Sequence, residues 1–183
     1  MSVAVGVIVA AIIAGLVAFF SLIISKEQTV SDFRQQWIDD LRKDIAAVVA
    51  CVSGIHGASI AKRKDDQEQL WASVKTDLTH FNEVIARIRL RLNPEEKRKK
   101  EGPATKAVLG ALKELESIFA SSEPQFHKLQ SLVTTLVTDA QVILKENWRR
   151  VRSGESVYQA TKWTTLILTV AVIIASLLHE FKR

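Results

Sequence analysis

The stretch VAVGVIVAAIIAGLVAFFSLII, residues 3–24, contains no charged side chain in 22 consecutive positions. As an α-helix rising about 1.5 Å per residue it would extend roughly 33 Å, which is enough to cross the hydrocarbon core of a bilayer. A cleaved secretory signal is the alternative, but no basic residue precedes this run, it is longer than a signal's apolar core, and SKEQTV after it is no convincing cleavage site. We therefore expect residues 1–25 to form a first transmembrane helix.

A second uncharged run, WTTLILTVAVIIASLLH, occupies residues 163–179. Its 17 residues are at the low end of the roughly 17 to 25 that span a bilayer, and the alternative is a helix buried in a protein core. Lys162 and Trp163 mark one end of the run, and Glu180, Phe181, Lys182 and Arg183 mark the other, which is typical of a membrane interface. We expect residues 163–183 to form a second transmembrane helix with a short external tail.

The positions of Lys and Arg predict the orientation of both runs, since these residues are retained on the cytoplasmic side. Beside the first run they lie only on its C-terminal side, and beside the second they gather mainly before it, at Arg149, Arg150, Arg152 and Lys162. Both asymmetries place residues 26–162 in the cytoplasm and both termini outside.

Between the two runs, apolar residues recur at steps of three and four, the spacing of an apolar helix face. The most regular series extends over about three heptads: Trp71, Val74, Leu78, Phe81, Ile85, Ile88 and Leu92. A helix starting near Thr29, where Thr29 and Asp32 suggest a cap, has a similar face: Val30, Phe33, Trp37, Leu41, Ile45, Val48 and Val52.

Two further helices are predicted from about residue 105 to 121 and after a capping box formed by Ser122 and Gln125. Their apolar faces are Val108, Leu112, Leu115 and Phe119, then Phe126, Leu129, Val133, Leu136, Ala140 and Ile143. The predicted fold class is therefore all-α, with two transmembrane helices flanking a cytoplasmic antiparallel helical bundle, residues 26–162.

Two basic or aromatic segments are candidate contacts for lipid or a partner. The first lies in SDFRQQWIDDLRKDIAAVV, residues 31–49, and contains Arg34, Trp37 and Arg42. Because its charges alternate in sign, a wall of the bundle is favoured over a helix lying flat on lipid. The second is the loop Lys97, Arg98, Lys99 and Lys100, which helix lengths place near the membrane. Anionic headgroups, plain solvation and a nucleic-acid contact are its three interpretations.

The predicted membrane helices carry two patterns of their own. Small residues recur every four positions in the first helix and favour close helix packing: Gly6, Ala10, Ala14 and Ala18. Hydroxyl groups follow one face of the second: Thr161, Thr165, Thr169 and, less regularly, Ser176. These hydroxyls either bond within the helix or its neighbours, or form a polar wall of a pore, which two helices per chain can enclose only in a homo-oligomer.

Nothing in the sequence predicts an enzyme, a cofactor, a metal or a small-molecule substrate. The four histidines have no ligand spacing and there is no glycine-rich phosphate loop. The single cysteine, Cys51, excludes a disulfide within the chain and lies in AAVVACV, which predicts a small buried apolar residue.

The motif F-R-Q-x-W-I-x-x-L-R-x-D-I, residues 33–45, directly follows the first run. It resembles a stretch in small membrane proteins of bacterial antiphage defence loci, and the overall plan is similar to the two-transmembrane effectors of retron systems. The resemblance implies an inner-membrane toxin that permeabilises the membrane when phage is sensed. It further implies restraint by a reverse transcriptase that carries RNA and DNA.

The residues themselves leave other functions open. A structural scaffold that holds a coiled-coil platform at the membrane is one alternative, and a holin-like or channel accessory protein is another.

Overall fold

The computed structural model describes residues 3–61, 67–121, 125–153 and 156–181. Five α-helices and one short 3₁₀ turn follow in chain order: α1 Val3–Ala61, α2 Gln67–Arg91, α3 Glu101–Ala120, the 3₁₀ turn Phe126–Lys128, α4 Leu129–Ser153 and α5 Ser156–Phe181. No strand occurs among these residues, so the predicted all-α class is confirmed.

Helix α1 is uninterrupted over 59 residues, a length of roughly 88 Å. The separate start expected near Thr29 is wrong. The Thr29 hydroxyl donates a hydrogen bond of 3.0 Å to the carbonyl oxygen of Ser25, a bond made inside a helix and not at a cap. No glycine or proline lies between Gly15 and Gly54, so nothing in the chain ends the helix there.

The described chain divides into two units, Met1–Gln35 with Arg150–Arg183, and Gln36–Arg149. The second unit contains a single hydrophobic core to which α1, α2, α3 and α4 all contribute. Its largest fully buried side chains are Phe81, Ile38, Leu41, Ile85, Ile88, Leu112, Leu115 and Leu136. The predicted boundaries between the membrane helices and the bundle, after residue 25 and after residue 162, are not tested by this division into units. They stay a prediction.

The predicted apolar face of α2 is confirmed from Phe81 to Leu92, whereas the side chain of Trp71 lies outside the described residues. On α1 the predicted face is buried from Leu41 to Val52. Phe33 was expected on the same face but is 69% exposed. The reason is that Arg91, the last residue of α2, pairs with Asp40, so α2 ends before it reaches Phe33.

Helix α3 begins at Glu101, four residues before the predicted start. Pro103 lies in its first turn, where a missing amide proton costs no helical hydrogen bond. The predicted faces of α3 and α4 are buried at Val108, Leu112, Leu136 and Ile143, as expected. Ser122 of the predicted capping box lies outside the described residues.

In the first unit, most side chains in the apolar part of α1 are exposed, with Val17 and Leu22 among the most accessible, whereas Leu16, Phe20 and Ile23 are half-buried. Among the described residues, α1 alone is long and apolar enough to cross a membrane. Within Ala10–Ala58, a stretch of 18 residues has a mean hydropathy of 1.8, and none of that stretch is buried. Helix α5 contains the second predicted run, but several of its side chains, those of Ser176 and His179 included, lie outside the described residues.

Two glycines of α3 give a direct test of this packing. A Cβ atom on Gly102 would overlap the main-chain oxygen of Glu96, whereas one on Gly110 would have no atom within 4 Å. We expect Gly102→Ala to lower the free energy of unfolding by about 2 kcal/mol, because a main-chain atom must move. Gly110→Ala should raise it by about 0.5 to 1 kcal/mol, as alanine does in an open helix interior.

Far-UV circular dichroism during unfolding of the detergent-solubilised full-length protein measures both glycine variants. Equal stability of the two variants would contradict the close approach of α3 to the loop before it.

Candidate functional site

The polar cleft is an opening of about 110 Å³ in the Gln36–Arg149 unit. The end of α2, the loop after it and the start of α3 form most of its lining, and α1 and α4 complete it. Its polar lining residues are Arg91, Asn93, Glu96, Arg98, Glu101, Thr105 and Asn147. Trp37, Leu92 and Ile143 are the apolar ones.

A buried carboxylate forms the inner wall of the polar cleft. Glu101 is only 3% exposed, and the Asn147 side-chain amide donates to its Oε1 at 2.7 Å. The same amide nitrogen also donates to the carbonyl oxygen of Ile143 at 2.9 Å, and Nη1 of Arg98 donates to Oε2 of Glu101 at 3.2 Å. Both carboxylate oxygens therefore have partners, as a buried charge requires.

A second buried carboxylate joins α1 to α2 beside the cleft. The side chain of Asp44 is 7% exposed and accepts from Nε of Arg87 at 3.1 Å, and it also pairs with Arg91. Arg91 reaches Asp40 as well, at 3.3 Å. Arg91 thus belongs both to the α1–α2 ion-pair network and to the cleft lining.

The loop between α2 and α3 is held by its own hydrogen bonds. The Asn93 side-chain oxygen accepts from the amide of Glu95 at 3.0 Å, and Glu96 Oε1 accepts from the amide of Arg98 at 3.0 Å. The amide of Gly102 donates to the carbonyl oxygen of Arg98 at 2.8 Å. The loop therefore presents its polar side chains to the cleft from a fixed main chain.

The structure brings together two of the predicted contact residues, because Trp37 and Arg98 both line the polar cleft. Arg42 instead pairs with Asp39 at 2.6 Å on the surface of α1, and Lys100 lies 3.6 Å from Glu146. Arg34 is half-buried in the other unit.

Lys97 and Lys99 are exposed, and within the described part of the chain neither forms an ion pair. The arginines of α2 that precede this loop form ion pairs within the protein. Arg87 and Arg91 pair with Asp44, and Arg89 pairs with Glu116. A lipid or partner contact through the loop therefore stays a prediction, for Lys97 and Lys99 above all.

The predicted packing face of the first membrane helix lies on α1, where Ala10, Ala14 and Ala18 are exposed. The environment of Gly6 lies outside the described residues. On α5 the Thr165 hydroxyl donates to the carbonyl oxygen of Thr161, and that of Thr169 to Thr165, both at 2.9 Å. The hydroxyls thus bond within their own helix, which favours the simpler of the two interpretations of this face.

The buried polar residues of the cleft belong to no motif, but the sequence contains one signal for them. Glu101 continues the series Thr105, Val108 and Leu112 at steps of four, three and four, and Asn147 likewise follows Ile143. A polar residue at an apolar seam position marks a buried partner in a helical bundle, as it does in coiled coils.

Cys51 is buried, as the sequence predicted. Burial, and after it the negative charge of Asp77, raises the pKa of this thiol, so it is largely protonated at neutral pH. Among the described residues, no group of three or more His, Cys, Asp or Glu side chains is placed to hold a metal ion.

Comparison with known proteins identifies no relative of this chain. No protein-family model, no curated protein and no solved structure matches the chain.

Proposed function

We propose that the chain is a bacterial inner-membrane effector that oligomerises and makes the membrane permeable, as the resemblance to retron effectors implies. Its main support is the continuity of α1, which extends from an exposed apolar segment into a buried core without a break. A monomer in water would be destabilised by so large an exposed apolar surface, whereas lipid or other copies of the chain would cover it.

In this proposal residues 26–162 lie in the cytoplasm, both termini lie outside, and α5 supplies the second membrane helix. The cytoplasmic helices form an antiparallel bundle. Contacts between α1 and α2 support this direction, because Asp40 pairs with Arg91 while Asp77 lies against Gly54 further along α1. Glu101 of α3 bonds Asn147 of α4, and Glu114 of α3 pairs with Lys128, the residue just before α4, again in opposite order.

Control in this proposal is exerted through the cytoplasmic bundle. A reverse transcriptase with its RNA and DNA is the partner that the resemblance implies. In the predicted contact loop, Lys97 and Lys99 are exposed basic side chains available for such a partner or for anionic lipid.

A membrane scaffold is the alternative that one observation favours. The hydroxyls of Thr165 and Thr169 bond to their own helix, so they need no pore water as a partner. Scaffold and effector differ in their consequence for the membrane, because only the effector dissipates the membrane potential.

Expression of the full chain in bacteria is expected to depolarise the inner membrane and arrest growth. Ala10→Leu with Ala14→Leu should abolish depolarisation and shift the detergent-solubilised oligomer to smaller species, because bulky side chains prevent close helix approach. A potential-sensitive dye and the mass of the solubilised complex measure the two effects.

The matched control enlarges an exposed position on the opposite face of the same helix with Ile12→Phe, which should leave both readouts unchanged. Intact potential with the wild-type protein inserted in the membrane would reject the effector in favour of the scaffold.

A further inference from the structure

The polar cleft marks one end of the Gln36–Arg149 unit. Residues near the start of the unit on α1, at the end of α2, in the loop after it, at the start of α3 and near the end of α4 all line the cleft. The chain therefore enters the unit, turns from α2 to α3 and leaves the unit at the same end. We call residues 36–44, 87–106 and 141–149, which form this end, the cationic end.

The charges of the cationic end are separated by burial. Its three segments contain twelve basic and seven acidic residues. Asp39 and Glu95 are exposed. The other five acidic side chains are buried or half-buried: Asp40, Asp44, Glu96, Glu101 and Glu146. Most of the negative charge at this end is therefore withdrawn from the surface.

Most of the basic side chains, by contrast, are exposed. Arg98 and Lys100 are more than half exposed in spite of their ion pairs, and pairs as exposed as these are weak. Five lysines are exposed and form no ion pair within the described residues: Lys43, Lys97, Lys99, Lys106 and Lys145. The surface of this end is therefore positive, although the charges beneath it are paired.

Two large apolar side chains are exposed among these cations. Leu90, the second-last residue of α2, is 89% exposed, and Trp148 of α4 is 53% exposed. In the described part of the Gln36–Arg149 unit, Ile60 is the other large apolar side chain that is so accessible, and it lies at the far end of α1. Apolar side chains among lysines are typical of protein surfaces that lie at the boundary between lipid headgroups and acyl chains.

We propose that the cationic end binds the headgroups of anionic phospholipids, with Lys97, Lys99 and Lys145 at the phosphates and Leu90 and Trp148 at the boundary with the acyl chains. Basic side chains are attracted to an anionic lipid surface, and tryptophan favours the interface. A nucleic acid would attract the same lysines, but Leu90 has no ring on which a base could stack. The inference deepens the proposed function and rests on its location at a membrane, since the chain continues from this end toward both predicted membrane helices.

Lysine acylation of the full-length protein in lipid nanodiscs tests the proposal, with mass spectrometry measuring the rate at each lysine. Both faces of a nanodisc bilayer are accessible to the reagent, so the orientation of the chain does not affect the result. In phosphatidylcholine mixed with phosphatidylglycerol, Lys97 and Lys99 should react at least about fivefold more slowly than in phosphatidylcholine alone. This factor corresponds to the attraction of one basic residue to an anionic surface.

Two exposed lysines of the same molecule are the matched controls. Lys75 lies sixteen residues before the end of α2 and Lys113 twelve residues after the start of α3, which is about 24 Å and 18 Å along the two helices. Both distances exceed the Debye length of about 10 Å at 0.1 M salt, so these two lysines should react equally fast in both bilayers. Raising the salt concentration should reduce the protection of Lys97 and Lys99.

Leu90→Gln separates a lipid surface from a soluble polyanion. The variant retains every charge, so its Lys97 and Lys99 should regain part of their reactivity only if the apolar side chain enters lipid. Single-stranded DNA added to phosphatidylcholine nanodiscs should protect these lysines less than phosphatidylglycerol does.

Equal acylation rates in the two bilayers would overturn the proposal, as would stronger protection by DNA or full protection in Leu90→Gln. The labelling pattern is independent of the membrane potential. Protected lysines without depolarisation would reject the effector and leave this inference standing. Depolarisation with unprotected lysines would reject this inference and leave the effector standing.

Discussion

Replacing Asp44 with alanine is expected to lower the free energy of unfolding by about 3 kcal/mol, the lower end of the range for breaking a buried ion pair. Asp44 joins α1 to α2 through Arg87 and Arg91, and its own side chain is 7% exposed. Without it, two guanidinium groups remain at a partly buried site with fewer acceptors. Arg87 is about one-third exposed and can regain water, which places the loss at the lower end.

The matched control is Asp39→Ala, five residues earlier on the same helix. Asp39 pairs with Arg42 at 2.6 Å, but both side chains are more than half exposed. An exposed pair of this kind contributes between about 0 and 1 kcal/mol, so Asp39→Ala should change stability little.

Unfolding of the detergent-solubilised full-length protein, followed by far-UV circular dichroism, compares the two aspartate variants. If Asp39→Ala proved as destabilising as Asp44→Ala, burial would not be what distinguishes the two carboxylates.

The contrast between these two aspartates shows what sequence periodicity can and cannot predict. Asp39 pairs with Arg42 on the same helix, as local spacing allows, because residues three apart on a helix are neighbours. Asp40 pairs instead with Arg91 across the helix interface. Partners on other helices depend on the register between helices, which a single sequence does not reveal.

Apolar periodicity was reliable wherever several helices converge. The series on α2 from Phe81 onward and those on α3 and α4 lie in one core or pack against it, because a continuous apolar stripe has few alternatives to a shared core. The polar cleft was not predicted as a site, although Trp37 and Arg98 were named separately as candidate contacts. Those two residues are about 60 positions apart in the chain, so only the fold brings them to one opening.

Trp37 lies at the beginning of the Gln36–Arg149 unit and Asn147 near its end, so the chain enters and leaves this unit close to the cleft.

The largest loss of stability is expected for Phe81→Ala, about 4 kcal/mol, since truncating a buried phenylalanine removes apolar burial and leaves a cavity. Phe81 is 1% exposed, and its ring meets that of Phe119 edge to face at a centroid distance of 5.1 Å. Such an aromatic pair contributes beyond the buried area alone. Unfolding of the detergent-solubilised protein by denaturant measures the change.

Phe33→Ala is the control that separates periodicity from burial, because the sequence places Phe33, like Phe81, on an apolar series with steps of three and four. Phe33 is 69% exposed, so truncating it should change the free energy of unfolding by less than about 0.5 kcal/mol. A loss near that of Phe81→Ala would mean that Phe33 is covered in the assembled protein, with another copy of the chain as the covering surface. A small loss would leave Phe33 outside every core and show that its place in the series has no bearing on stability.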